Sequence, residues 1–368
     1  MKIKSVEAFP VALPLKKPFT IALGTMTHSP HVVVKMTTDD GIVGYGEAST
    51  WHVVYGYDQH ELAWVIDRYL GPAVKGMDPA DLESIHARMD AVLPKNLMAK
   101  AGIEIACQDA RAKALGTSVS RLIGGALKSP LEVMEVVDIV PHQEAAKMAL
   151  EFVQYGLRCL KIKIGLNPKE DIERVRVVRE AVGPDIKLRI DGNQGYDRAS
   201  ALKVSLAVEK FDLQWIEQPL PDWDLEGLAL IADAVHTPIA VDESLCTLHD
   251  VYKLAKAKAA DVINIKVSKC GGITNSLKIA SAAESVGIPC FLGGCIETGV
   301  GTAAALHFGA CSPNLFPGLE IAGTGPFTDD IITAPFVAKH GAVHLPQGPG
   351  LGVSVNEEKL EFYSRKRE

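Results

Sequence analysis

Hydrophobic and polar positions alternate through the first fifty residues, and the alternation is interrupted at one place. His31 to Thr37 and Gly41 to Glu47 flank Asp39-Asp40, so the chain is expected to reverse there in a hairpin turned at Asp-Gly. Met1 to about Ser49 therefore predicts a small antiparallel sheet. From about Gly56 to Gly116 the period becomes helical, and the run Ala101 to Leu115 stops at Gly116, a residue suited to a helix C-terminal cap. The first third reads as α+β.

A second change of pattern falls around Gly124-Gly125 and Ser129-Pro130. Beyond it, short β-prone runs recur near residues 132–137, 158–164, 186–191, 213–218, 238–242, 261–266, 288–293 and 315–321, with helical patterns between them. One helix announces itself fully. Asn167-Pro168-Lys169-Glu170 supplies an N-cap, a first-turn proline and an N3 glutamate, and Ile172, Val175, Val178 and Val182 form its apolar stripe. Eight strands separated by helices predict a closed parallel barrel. The expected division is an α+β domain over residues 1–125, a barrel over 126–326, and a tail, 327–368, that packs back on the first domain.

Composition works mainly by exclusion. At 368 residues the chain exceeds one ordinary core, and 47% apolar with 23% charged residues is a globular balance without a long apolar run. A soluble protein with no membrane partner is expected. Met1-Lys2-Ile3-Lys4-Ser5-Val6-Glu7 alternates and does not resemble a secretory leader, which predicts a cytoplasmic location. A net charge of −7 and a pI near 5.9 argue against a nucleic-acid partner, which would be held by clustered cations. The seven scattered cysteines are expected as small buried hydrophobes, and the eleven histidines as structural. A homo-oligomer is also expected.

Three familiar motifs fail. His60-Glu61-Leu62-Ala63-Trp64 lacks the second histidine of a zinc helix. Gly41, Gly44 and Gly46 follow a hairpin turn instead of opening a helix, so they do not make a dinucleotide loop. Gly293-Gly294 and Gly299-x-Gly301 lack the Lys-Ser/Thr of a phosphate loop.

What remains is a series of charged residues at strand ends. Asp191, Glu217 and Asp242 each close a β-prone run, at spacings of 26 (217 − 191) and 25 (242 − 217), and Lys266 follows 24 later (266 − 242). Parallel neighbouring strands would bring the three carboxylates together as hard oxygen donors without His or Cys, a set suited to Mg²⁺ or Mn²⁺. Lys161 and Lys163 share one face of their strand while Ile162 and Ile164 take the other. Two close ammonium groups disfavour each other's charge, which predicts a partly neutral lysine able to act as a base. Lys266 would face the same centre from another side, with Asn264 beside it. A divalent cation between lysines suits removal of a proton next to a carboxylate. Return by an opposite lysine gives epimerisation, whereas a single lysine acting with a ring bond or leaving group gives cycloisomerisation or elimination.

Lys161-x-Lys163, Asp191-Gly192-Asn193, Glu217-Gln218-Pro219, Asp242-Glu243-Ser244 and Lys266 followed by Gly271-Gly272 resemble the muconate-lactonizing subgroup of the enolase superfamily, along nearly the whole chain. Lysine bases working with magnesium are a known device of that superfamily. The resemblance implies an α/β architecture, a modified (β/α)7β TIM-type barrel under an N-terminal α+β capping domain. It implies Mg²⁺ on Asp191, Glu217 and Asp242, an acid/base pair of Lys163 and Lys266, and Lys161 tuning Lys163. Substrate contacts are expected from the capping segments 20–28 and 51–57, including Thr20 and Tyr55, and from Asn193, Asn264, Glu297, Thr298 and Glu320 at strand ends. Dipeptide epimerases of the subgroup typically place Asp-x-Asp after strand eight to hold a substrate ammonium, and this chain has Glu320-Ile321-Ala322. Glu320-x-x-Gly323 and Val300 to His307 look more like muconate cycloisomerases, while Glu297-Thr298 is nearer the epimerase form. The leading expectation is a Mg²⁺-dependent cycloisomerase acting on a small dicarboxylate. The alternative is an N-acyl amino acid racemase or dipeptide epimerase, ahead of a Schiff-base lyase or a non-catalytic binding protein.

Overall fold

The computed structural model describes residues 1–320, 325–335 and 338–365. Three antiparallel strands, β1 (Ile3–Ile21), β2 (Gly24–Thr38) and β3 (Val43–Ser49), form the expected N-terminal sheet. The β2–β3 turn is tied by Thr38, whose amide donates to Ile42 O at 2.9 Å, and Gly41 adopts a left-handed φ of 86° that few side chains tolerate. Residues 20–28 are the tip of the β1–β2 hairpin, paired through Thr20–Thr25 and Phe19–Met26.

The Leu97–Ala114 helix lies across this sheet and is buried nearly all round. Its close approach explains the glycine spacing that fails as a nucleotide loop. A Cβ added at Gly46 would overlap Gly102 O and come within 2.6 Å of Ala106 N, and one at Gly44 would lie 2.9 Å from the Ala110 Cβ. Overpacking against backbone cannot be relieved by rotamer changes. Gly46→Ala is expected to lower stability by about 2–4 kcal/mol, and urea unfolding with an unchanged m-value measures it.

The second sheet is parallel and seven-stranded: β4 (Glu135–Val137), β5 (Cys159–Lys163), β6 (Lys187–Asp191), β7 (Leu213–Glu217), β8 (Ile239–Val241), β9 (Val262–Ile265) and β10 (Cys290–Leu292), in that spatial order. Helices alternate with the strands, including Pro168–Val182, where Asn167 accepts from Lys169 N and Glu170 N. The first expected strand is divided, because Leu131–Glu132 pairs instead with Ala342–Val343. The eighth stave is not a regular strand. Bridges Cys290–Leu315 and Val133–Leu319 span the gap between β10 and β4. Pro317 lacks an amide and Gly318 turns left-handed at φ 78°, so a continuous ladder cannot run through them. The buried Arg189 guanidinium donates to both of their carbonyls and stacks 3.9 Å from the Trp215 ring, sealing the barrel floor.

Acidic residues of the N-terminal part hold barrel helices by their ends. Glu104 accepts from Ile273 N and Thr274 N at the start of the Ile273–Ser285 helix, and Glu47 accepts from Thr298 N and Gly301 N at the start of Gly299–Cys311. Carboxylates at helix N-termini satisfy orphan amides and complement the dipole. Near the C-terminus, the Glu357–Arg365 helix packs on β1, and Tyr45 donates to Glu357 Oε1 at 2.6 Å. Among the described residues no helix is long and apolar enough to cross a membrane.

Candidate active site

Parallel register assembles the charged series. Lys163 pairs with Asp191 across β5–β6, and Asp191 with Glu217 across β6–β7, so their side chains stand at one level of the barrel's C-terminal mouth. Asp242 follows β8, and Lys266 and Lys269 follow β9. All of these groups are buried.

Each of the three carboxylates has one oxygen fixed from outside and one turned toward an ammonium. Asp191 Oδ1 accepts from Asn193 N at 2.9 Å while Oδ2 lies 2.6 Å from Lys163 Nζ. Glu217 Oε1 accepts from Asn264 Nδ2 at 2.7 Å while Oε2 lies 2.8 Å from Lys161 Nζ. Asp242 Oδ1 accepts from Lys269 Nζ at 2.8 Å while Oδ2 lies 2.7 Å from Lys266 Nζ. Lys161 also reaches Glu320 Oε2 at 2.8 Å. Glu217 Oε2 and Asp242 Oδ2 sit at ion-pair distance from lysines but outside hydrogen-bond geometry, and Glu243 Oε2 is buried with no hydrogen-bond partner.

Among the described residues no three His, Cys, Asp or Glu side chains are already gathered as a coordination shell, because the ammonium groups stand between them. The donor set nonetheless fits a hard divalent cation: three carboxylates stand at the ends of neighbouring strands, and two of them hold a buried oxygen without a hydrogen-bond partner. The electrostatics agree. Burial pushes Glu217 up to about 7 and Glu243 up to about 8, and neighbouring carboxylates add to it. Burial also opposes ionisation of Asp242, but Lys266 and Lys269 outweigh it and hold that carboxyl below the usual range.

Of the lysine pair expected to include a partly neutral member, Lys161 is not that member, and Lys266 is held charged as well. Burial alone would lower Lys161 and Lys266, but Glu217, Glu320 and Asp191 raise the first above its ordinary value, and Asp242 raises the second. With the carboxylates turned onto them, these two ammonium groups are held charged.

A cavity of about 390 Å³ opens above this layer. Lys163, Lys266, Asn193, Glu297, Glu320 and Tyr55 line it, whereas Asn264 lies beneath, supporting Glu217. Tyr55 Oη is 3.4 Å from both Lys266 Nζ and Cys295 Sγ. Besides Asn264, two expected substrate contacts point elsewhere. Thr298 caps the Gly299–Cys311 helix, bonded to Glu47, and Thr20 Oγ1 is 2.9 Å from Thr25 Oγ1 across the hairpin tip, where its neighbours Phe19 and Ile21 face the cavity instead. Ile321, Ala322 and Gly323 lie outside the described residues.

Several groups escape the sequence reading. Lys269 had a signal in Lys266-x-x-Lys269, and Asp138 continues the interval series, 25 before Lys163 (163 − 138). His31, 3.1 Å from Glu47 and fully buried with it, had none, because the partners come from separate strands.

Glu297 carries a pH prediction. Burial, then the Glu47 carboxylate, push it up to about 7. In the unfolded chain it titrates near 4.3, so the folded state holds a proton that the unfolded state releases, and stability falls as pH rises from about 4.3 through about 7. Glu297→Gln is expected to flatten that fall by about 1–3 kcal/mol, read from melting curves at about pH 5 and about pH 8.

With this geometry in hand, comparison with known proteins is direct. Residues 3–124 match the model for the mandelate racemase / muconate lactonizing enzyme N-terminal domain, and 144–359 the enolase C-terminal domain-like model. N-succinyl-L-Arg/Lys racemase of Bacillus cereus is 36% identical over 98% of this chain and 97% of its own, and its crystal structure superposes with a TM-score of 0.96 over 100% and 99% of the two chains. Muconate cycloisomerase 1 of Rhodococcus opacus is 34% identical over 99% of each. A dipeptide epimerase of Enterococcus faecalis, complexed with Mg and L-Leu-L-Tyr, superposes with a TM-score of 0.91 at 35% identity, covering 96% of this chain and 100% of that one. With both domains matched, and relatives that are cycloisomerases, racemases and epimerases, the chain belongs to the muconate-lactonizing subgroup of the enolase superfamily and is an isomerase.

Proposed function

We propose that the protein is a Mg²⁺-dependent racemase or epimerase that moves the proton α to the carboxylate of an N-acylated amino acid or dipeptide. The observation that carries this reading is the presence of two lysines, Lys163 and Lys266, lining one cavity from β5 and from the end of β9, with three carboxylates between them. Asp191, Glu217 and Asp242 would hold the metal, with Mn²⁺ as a substitute of similar hardness. When bound, it supplies positive charge to the substrate carboxylate. Lys163 takes the proton from one face and Lys266 returns one from the other. Asn193 accepts from Lys163 Nζ at 2.9 Å and orients it. Lys161 stays charged beside Glu217 and Glu320, two residues from Lys163 on the same face of β5.

A muconate-type cycloisomerase is the second reading, favoured by the single Glu320 after the last stave and by the muconate cycloisomerase relative. Incubation in D₂O with Mg²⁺, followed by ¹H NMR and polarimetry, separates the two. Racemisation predicts α-deuteration with loss of rotation for acyl amino acids or dipeptides; loss of diene absorbance from muconates without any α-deuteration overturns it. The proposal extends to a cytoplasmic homo-oligomer in which residues 1–125, with 327–368 against them, cap a catalytic barrel of 126–326. Trp223 and Tyr252, 77% and 67% exposed, suit a subunit contact, and light scattering measures the assembly.

A further inference from the structure

The cavity extends from Lys163 toward the first barrel strand, where its wall changes character. Register pairs Val136 with Lys161 across β4–β5, so the next inward position along the strand, Asp138, stands opposite Lys163. Asp138 and Glu135 both line the cavity, among the apolar side chains of Met134, Val136, Met148 and Phe152. Neither forms an ion pair among the described residues: Lys163 is engaged by Asp191 and Asn193, and it and Lys17 act on Asp138 only from a distance. Glu135, partly buried, has only the Val136 amide in its favour, while Asp138 and Glu320 both oppose its charge. Burial accordingly pushes both carboxyls up to about 7.

Partly buried carboxylates that line an apolar cavity without a counterion are costly to keep ionised, so a wall of this kind is matched by a cation that arrives from outside. We propose that the substrate carries a positively charged group, an ammonium or guanidinium, and that Asp138, backed by Glu135, binds it. The inference rests on the α-proton-transfer reading for the other end of the substrate. It also accounts for the missing Asp-x-Asp after the eighth stave. That stave borders the first strand through the Val133–Leu319 bridge, so the anionic anchor has moved one stave round the barrel.

The shared chemistry has two sources, a side-chain cation or an α-ammonium, and paired probes distinguish them. For the first, Nα-acetyl-L-lysine is compared with its neutral isostere Nα-acetyl-L-norleucine; for the second, L-Ala-L-norleucine with N-acetyl-L-Ala-L-norleucine. The Mg²⁺-loaded protein is expected to exchange the α-proton of the cationic member at least tenfold faster, by kcat/KM, in one of the two pairs. Asp138→Asn is expected to reduce that preference ratio about 10- to 100-fold, as loss of a charge-assisted contact does, and Glu135→Gln by a smaller factor. Equal rates within both pairs for the unaltered protein, or a ratio unmoved by Asp138→Asn, would overturn the proposal; the second result would mean that Asp138 serves Lys163 alone. If no probe exchanges, it is the proton-transfer reading that fails. Binding then decides the proposal: a larger rise in melting temperature with the cationic member, lost in Asp138→Asn, sustains it, and equal rises overturn it.

Discussion

Lys266→Ala is expected to abolish racemisation, by at least about 10³-fold in kcat, while leaving the fold intact. A positioned acid or base contributes on the order of 10²–10⁴ to the rate, and a residue needed for proton return on one face has no substitute on that face. Lys266 is 8% exposed and bonded only at its tip, to Asp242 and Tyr55, so its removal leaves the barrel wall in place. The sharper readout is asymmetry. With Lys163 untouched, one enantiomer should still exchange its α-proton in D₂O without inverting, and the other should not exchange. Lys163→Ala should show the opposite enantiomer preference. Equal residual exchange of both enantiomers in either variant would show that the two lysines do not serve opposite faces.

The second large effect falls on Asp242. Asp242→Asn is expected to cost both Mg²⁺ binding and stability, because it leaves Lys266 and Lys269 as buried cations without their carboxylate. Breaking a buried pair by removing one partner costs about 3–5 kcal/mol. Calorimetric titration should show Mg²⁺ affinity weakened by at least about 10²-fold, and turnover should fall by about 10³-fold. Asp191→Asn should lose turnover comparably but less stability, since Lys163 keeps Asn193 Oδ1 and borders the cavity. A metal-free Asp242→Asn protein as stable as the unaltered one would show that the two ion pairs contribute nothing net.

Legibility followed from how local each signal was. The hairpin at Asp39 to Gly41, the cap at Asn167 and the strand-end acids are written in contiguous residues, so their period and turn chemistry were readable. The eighth stave stands where β-prone residues from 315 placed it, but they did not disclose the interruption that Pro317 and Gly318 impose on its ladder. Thr298 was placed in the substrate site through its neighbour Glu297, yet one residue along a helix start turns a side chain by about 100°, and its hydroxyl meets Glu47 instead.

The sequence by itself determined the repeat of strand and helix, the level of the barrel at which charge would gather, and which residue types would gather there, because periodicity and spacing are properties of the chain. Only the tertiary structure decided which oxygen of each carboxylate is paired with a lysine, that Lys161 and Lys266 are held charged by acids from other strands, and that Asp138 forms no ion pair among the described residues. Those are pairings between residues distant in the chain. Their energies depend on distance and burial, which no one-dimensional pattern carries.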